Sequence, residues 1–145
     1  MRKEGLLIVC ALASMSDFCF SQSSPGPLIQ TLDPEVFNAG IGCSLRPYGQ
    51  EFGYRDVFVG LDAKGNEGPW MKIDGRVLKL SRIEGSWPEK KGRKAILRFS
   101  ADRTNVVVNV TNTASGTAGF YVEGTLSVST DGGKETIRVS GGCGD

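Results

Sequence analysis

Four separate stretches of the chain alternate apolar and polar residues with a period of two, and that pattern restricts them to extended strands with one buried face. Tyr54–Leu61 puts Val57, Val59 and Leu61 on one face. Arg93–Ser100 puts Ala95, Leu97 and Phe99 opposite Lys94, Ile96 and Arg98. Asn105–Thr111 aligns Val106, Val108 and Val110. Phe120–Thr130 aligns Phe120, Val122, Leu126 and Val128 against Tyr121, Glu123, Thr125, Ser127 and Ser129.

The breaks between these stretches carry turn chemistry. Asp74–Gly75 stands at the centre of Lys72–Ser81, and an Asp–Gly between two extended runs is a strong hairpin signal. Asp131–Gly132–Gly133 separates two further runs, Asp62–Gly68 reads as a longer loop, and Ser115–Gly119 breaks another pair of strands. The chain's 20 glycines suit so many turns. We therefore expect an all-β fold, a small antiparallel β-sandwich or β-barrel of about 7–8 strands. At most one short N-terminal helix is expected, at Asp33–Asn38, with Asp33 as its cap and Pro34 at its first position.

The first residues read differently. Arg2 and Lys3 precede the apolar run Leu6–Ala13, and Ser14, Ser16, Cys19 and Ser21 follow it. A basic start, a short apolar run and a small-residue exit describe a secretory signal peptide. The expected organisation is a cleaved leader at 1–21, a flexible lead-in at 22–32 and a single β domain at 33–145. The apolar run is too short to span a bilayer and no second one follows, so no membrane span is expected. The expected localisation is periplasmic or extracellular.

Cleavage leaves two cysteines, Cys43 and Cys143, near the two ends of the domain. In an exported chain two such residues read as one disulfide. The loop it closes is long enough for a chain-entropy stabilisation of about 4–5 kcal/mol. Their spacing is not that of a redox-active CxxC pair, and two thiolates without a histidine make a poor zinc site.

The composition narrows function mostly by exclusion. The formal net charge is +1, which gives no whole-chain footprint for nucleic acid. There are 0 histidines, so the commonest general base and transition-metal ligand is missing. Carboxylates are numerous, but they fall in turns and at polar strand positions, where a solvated surface role is the ordinary one. The segment Asp62–Glu67 lacks the alternating oxygen ligands of a calcium loop and carries Lys64 among them. No catalytic residue, cofactor or metal is assigned, and the chain does not read as an enzyme.

Charge along the sequence is less even than the total. Between Lys72 and Arg103 ten basic residues face four acidic ones, a net of +6. Within that stretch Trp87 lies in a turn-like Gly85–Pro88 context beside the basic run Lys90, Lys91, Arg93 and Lys94. A loop tryptophan next to clustered cations is a reasonable binding face; the plainer reading is a solvated hairpin loop and a lid on the core. The expectation is an exported small binding module of the cell envelope, an inhibitor or ligand-binding protein acting through loops near 84–94. An envelope protein or an anionic glycan is the expected partner, and the chain is expected as a monomer or weak homo-oligomer. A structural, adhesin-like surface-assembly domain is the alternative, and a carboxylate-based hydrolase a third reading.

Overall fold

Two-residue turns fold much of the chain into tight hairpins. The structure, a computed structural model, describes residues 26–37, 42–50, 55–62 and 64–144. The leader, its cleavage point, and Asn38 and Tyr54 at the ends of two expected elements lie outside the described residues. Ten strands follow in chain order: β1 (Ile29–Gln30), β2 (Gly42–Pro47), β3 (Phe58–Leu61), β4 (Glu67–Ile73), β5 (Arg76–Lys79), β6 (Ser81–Glu84), β7 (Lys94–Ala101), β8 (Thr104–Ser115), β9 (Gly119–Thr130) and β10 (Gly133–Gly144). Asp74–Gly75 turns β4 into β5 with both residues at positive φ, 50° and 82°, the backbone that suits a right-twisted hairpin. Asp102–Arg103 joins β7 to β8, and Asp131–Gly132 joins β9 to β10.

All pairings are antiparallel and belong to one sheet, in the order β1-β4-β3-β2-β10-β9-β8-β7-β6, with β5 also on β4. Only Leu80 separates β5 from β6. Residues 76–84 thus form one strand that pairs with β4 in its first half and with β7 in its second. The pairings consequently run round in a circuit and the sheet curls into a barrel. Counting 76–84 as one strand and setting aside the two-residue β1, the barrel has eight strands, in keeping with the sequence pattern.

The interior is built by the alternating residues. Val106, Val108 and Val110 on β8, Val122, Leu126 and Val128 on β9, and Leu97 and Phe99 on β7 are all buried in one cluster. Tight curling needs close strand approach, and two inward glycines on neighbouring strands provide it. A Cβ on Gly124 would run into the Asn109 carbonyl oxygen, and one on Gly141 into that of Ser44. The seam of the barrel is the β2·β10 pairing. Cys43 faces Cys143 across it, and the two are joined by a disulfide spanning 100 residues of sequence.

Strand β3 departs from the expected pattern. Phe58, not Val59, faces the interior: it pairs with Leu45 and belongs to the core cluster. Val59 pairs with Ser44 and Trp70 on the other face, yet is only 1% exposed. Both faces of β3 are covered here, so alternation cannot tell them apart, and a register shift between Val59 and Leu61 breaks the period as well.

One end of the barrel carries the turns 74–75, 102–103 and 131–132, and the N-terminal segment lies against it. The Asp74 amide donates to the Leu28 carbonyl, and the Gly75 amide to Gln30 Oε1. The Ile29 amide donates to Glu135 Oε1 at 2.8 Å, and the Leu32 amide to the Asp56 carbonyl at 2.8 Å. Ile29 and Leu32 are buried, so β1, within the stretch read as lead-in, contributes to the capped end. The expected helical piece is a single turn: the Asp33 carbonyl accepts from the amides of Val36 and Phe37, and its side chain from that of Glu35.

Asp56, beside this end, is 5% exposed. Burial pushes its carboxyl up to about 6, partly offset by the Arg46 guanidinium. The folded value thus lies above the ordinary one of about 4, so the folded protein holds a proton that the unfolded chain releases. The contribution is fully present below about pH 4 and is lost as pH rises through 6. Urea unfolding of the wild type and Asp56→Asn at pH 7.5 and 4.5 checks this. The wild type is expected to gain about 2 kcal/mol on the variant at the lower pH. An unchanged difference would mean that Asp56 titrates as an ordinary carboxylate.

Candidate functional site

The opposite end carries the connections 62–66, 85–93 and 116–118, and it is not closed in the same way. The cause lies in β4. Pro69 accepts a hydrogen bond from the Leu80 amide at 2.8 Å but has no N–H to return one. No further register pair joins β4 to residues 81–84, which turn to β7 instead. The strands part there, and a cavity of about 610 Å³ opens in the barrel mouth.

The walls of this mouth are mostly apolar. Phe58, Leu61, Pro69, Leu80, Trp87 and Phe99 line it, and Lys79, Arg82 and the carboxylate of Glu67 add polar edges. Its floor is an aromatic stack. The Phe58 ring lies 5.3 Å from Phe99 at 64° and 5.8 Å from Trp87 at 71°, the tilted arrangements that aromatic quadrupoles favour. The volume falls within the range of about 300–1,000 Å³ common for small-molecule sites, and barrel mouths are a common place for them.

Trp87 belongs to a second lining as well. It helps to line a second recess of about 360 Å³, whose remaining walls include Glu89, Lys90, Arg93 and Lys94. The four basic residues singled out from the sequence are all exposed in or beside this loop, whereas Trp87 is half-buried against the core. Trp87 is thus common to the linings of an apolar cavity and a predominantly cationic one.

The loop is pinned from beneath by two residues that the sequence pattern does not single out. Asn112 continues the inward-facing series of Val106, Val108 and Val110 and is 1% exposed. Its side-chain amide donates to the Pro88 carbonyl at 2.8 Å and to Ser115 Oγ at 3.0 Å. Ser115 Oγ in turn donates to the Glu89 carbonyl at 3.2 Å. The backbones of Asn112 and the loop also bond, with the Gly92 amide donating to the Asn112 carbonyl and the Asn112 amide to the Arg93 carbonyl. A polar residue on an otherwise apolar face was the available signal: a buried amide needs partners, and here they are the loop.

Three other basic residues of the Lys72–Arg103 stretch have acidic partners. Arg76 pairs with Asp102 at 3.9 Å, Arg98 with Glu84 at 3.5 Å and Arg103 with Asp131 at 3.5 Å. Arg76, Asp102, Arg103 and Asp131 all line a recess at the capped end, where each cation has an acidic neighbour. Lys72, Lys79, Arg82, Lys90, Lys91, Arg93 and Lys94 make no ion pair among the described residues.

The loop at 62–66 is organised by its own side chains. Asp62 accepts from the Asn66 side-chain amide at 2.9 Å and from the amides of Asn66 and Lys64 at 2.8 and 2.9 Å. Those bonds, the Asn66 side chain's first, hold its carboxyl below the usual carboxylate range. Among the described residues no three Asp, Glu or Cys side chains gather as a metal site would require. Comparison of the chain with family models, with curated proteins and with solved structures returns no match.

Removing the amide of Asn112 should release the loop. Asn112→Ala is expected to speed hydrogen exchange across 88–93 and to cost about 1–3 kcal/mol of stability, the usual consequence of unpairing a buried polar contact. Unchanged exchange in that segment would show that the backbone bonds alone hold it.

Proposed function

We propose that this chain is an exported binding module whose barrel mouth takes the apolar part of a small ligand. The observation that carries the reading is the cavity of about 610 Å³ walled by Phe58, Leu61, Pro69, Leu80, Trp87 and Phe99. Export is supported by the leader pattern of residues 1–21 and by the Cys43–Cys143 disulfide. A binding role suits the chemistry of the mouth. It offers aromatic and aliphatic surface on rigid strands, a pinned loop beside it, and no activated nucleophile or paired carboxylates. The aromatic floor is held by the core, so little ordering is needed when a ligand enters. The two tryptophans are separated by position: Trp70 pairs with Phe37 at 5.8 Å on the outer face, away from the Phe58 stack. The alternative of strand donation gains little from a sheet whose pairings run round in a circuit.

The test uses the mature disulfide-bonded protein carrying Trp70→Phe, so that Trp87 alone reports. N-phenyl-1-naphthylamine, a neutral apolar dye, is titrated and energy transfer from Trp87 is followed. Saturable transfer with one site and a Kd of about 10 µM is expected, about −7 kcal/mol. Leu61→Arg, a charge at the half-exposed rim, should weaken it tenfold or more. No saturable transfer, or full binding by Leu61→Arg, would overturn the reading.

A further inference from the structure

We infer that the ligand of the barrel mouth is a single-chain anionic amphiphile, its acyl chain in the mouth and its acidic head group on the far side of Trp87, among Lys90, Arg93 and Lys94. The inference rests on the reading of the mouth as a binding site and adds to it the charge and the layout of what binds.

Three features of the structure lead to it. Trp87 lines both the apolar mouth and the loop recess, so the two cavities are neighbours that share this residue. The lining of the mouth is mostly apolar, with Glu67, Lys79, Ser81 and Arg82 as its polar side chains, which favours a hydrocarbon chain over a glycan ring. The loop recess concentrates three cations against one carboxylate, Glu89, and none of the three is in an ion pair among the described residues. Elsewhere on this barrel Arg76, Arg98 and Arg103 each have an acidic partner, whereas Lys72, Lys79 and Arg82 are in no ion pair among the described residues.

The loop's position is fixed independently of any ligand. Asn112 and Ser115 hold the carbonyls of Pro88 and Glu89, and the Arg93 amide donates to the Lys90 carbonyl at 3.0 Å. A preset loop loses little backbone freedom when an anion arrives. An exposed carboxylate or sulfonate head would keep part of its hydration there, as a charge at a rim requires. Lys79 and Arg82 add positive potential at the edge of the mouth itself. Glu67 is the opposing charge at that edge, remote in sequence from the loop.

The experiment measures Trp87 fluorescence of the Trp70→Phe protein against decanoate, 1-decanol and decyltrimethylammonium, each below its micelle concentration. Decanoate is expected to bind at least tenfold more tightly than decanol, and the cation more weakly than either. The triple variant Lys90→Gln, Arg93→Gln, Lys94→Gln should bring decanoate down to the affinity of decanol and leave decanol unchanged. Raising NaCl to 0.5 M should narrow the same gap, since exposed charges are screened. Equal binding of decanoate and decanol by the wild type would overturn this inference and leave the binding reading standing. Binding of none of the three would count against both. Loss of the preference in Lys79→Gln/Arg82→Gln, with the loop variant unaffected, would overturn the placement of the head group. Vesicles of phosphatidylglycerol and phosphatidylcholine provide the last arm. Co-sedimentation that depends on the loop cations, without a preference for free decanoate, would assign the loop to a membrane surface and overturn the inference.

Discussion

The pairing of β2 with β10 is the contact on which the rest of the molecule depends. Every other neighbouring pair in the barrel is close in sequence and can form as a hairpin or short meander. This one joins residues about a hundred apart, so its loop-closure cost is the largest in the fold. Cys43 and Cys143 sit opposite one another in that ladder, and the disulfide removes much of the cost from the unfolded side. Without the seam there is a curled sheet but no interior. The inward faces of Leu45, Val122 and Val139, which meet at this part of the barrel, would then be open to water. Gly141 allows the close approach that the seam requires, by leaving room for the Ser44 carbonyl.

Closure at the seam sets up the contrast between the two ends. At one end, the segment from Leu28 to Leu32 uses backbone and side-chain hydrogen bonds to lie against the turns, and Ile29 joins the core. At the other, the strand 76–84 changes partner beside Pro69, and the missing N–H leaves the gap unpaired. An eight-stranded barrel fills most of its interior with side chains, so further open space is made at a mouth. Here it is made by a parting of two strands, and the aromatic stack of Phe58, Phe99 and Trp87 keeps the remainder packed. The mouth and the core thus share residues, which ties the stability of the barrel to the shape of the cavity.

Much of the fold was legible because the physics is local. The alternation in β7, β8 and β9 is clean since each has one face on the core and one in water, and the Asp74–Gly75 turn adopts the left-handed backbone that its sequence advertises. The choice between sandwich and barrel was not legible. It turns on the partner change at Leu80 and on the glycines at 124 and 141, which act through neighbours distant in the chain. Strand β3 misled because it is covered on both faces. For the site, Trp87 and its basic neighbours were visible as a loop, but their relation to a cavity was not: Phe58 and Leu61 come from β3, Leu80 from the link between β5 and β6, and Phe99 from β7. Asn112 carried a readable signal, an amide in step with three valines, whose partner could be named only once the loop was placed.

The central claim is that the mouth of this barrel receives an apolar chain. Isotope-filtered NOE spectroscopy on the labelled mature protein with unlabelled decanoate tests it most directly. The account expects cross-peaks from the ligand's methylenes to the methyls of Leu61 and Leu80 and to the rings of Phe99 and Trp87. Cross-peaks confined to outer-face side chains such as Ile83, Ile96 and Tyr121, or none at a saturating concentration, would contradict it.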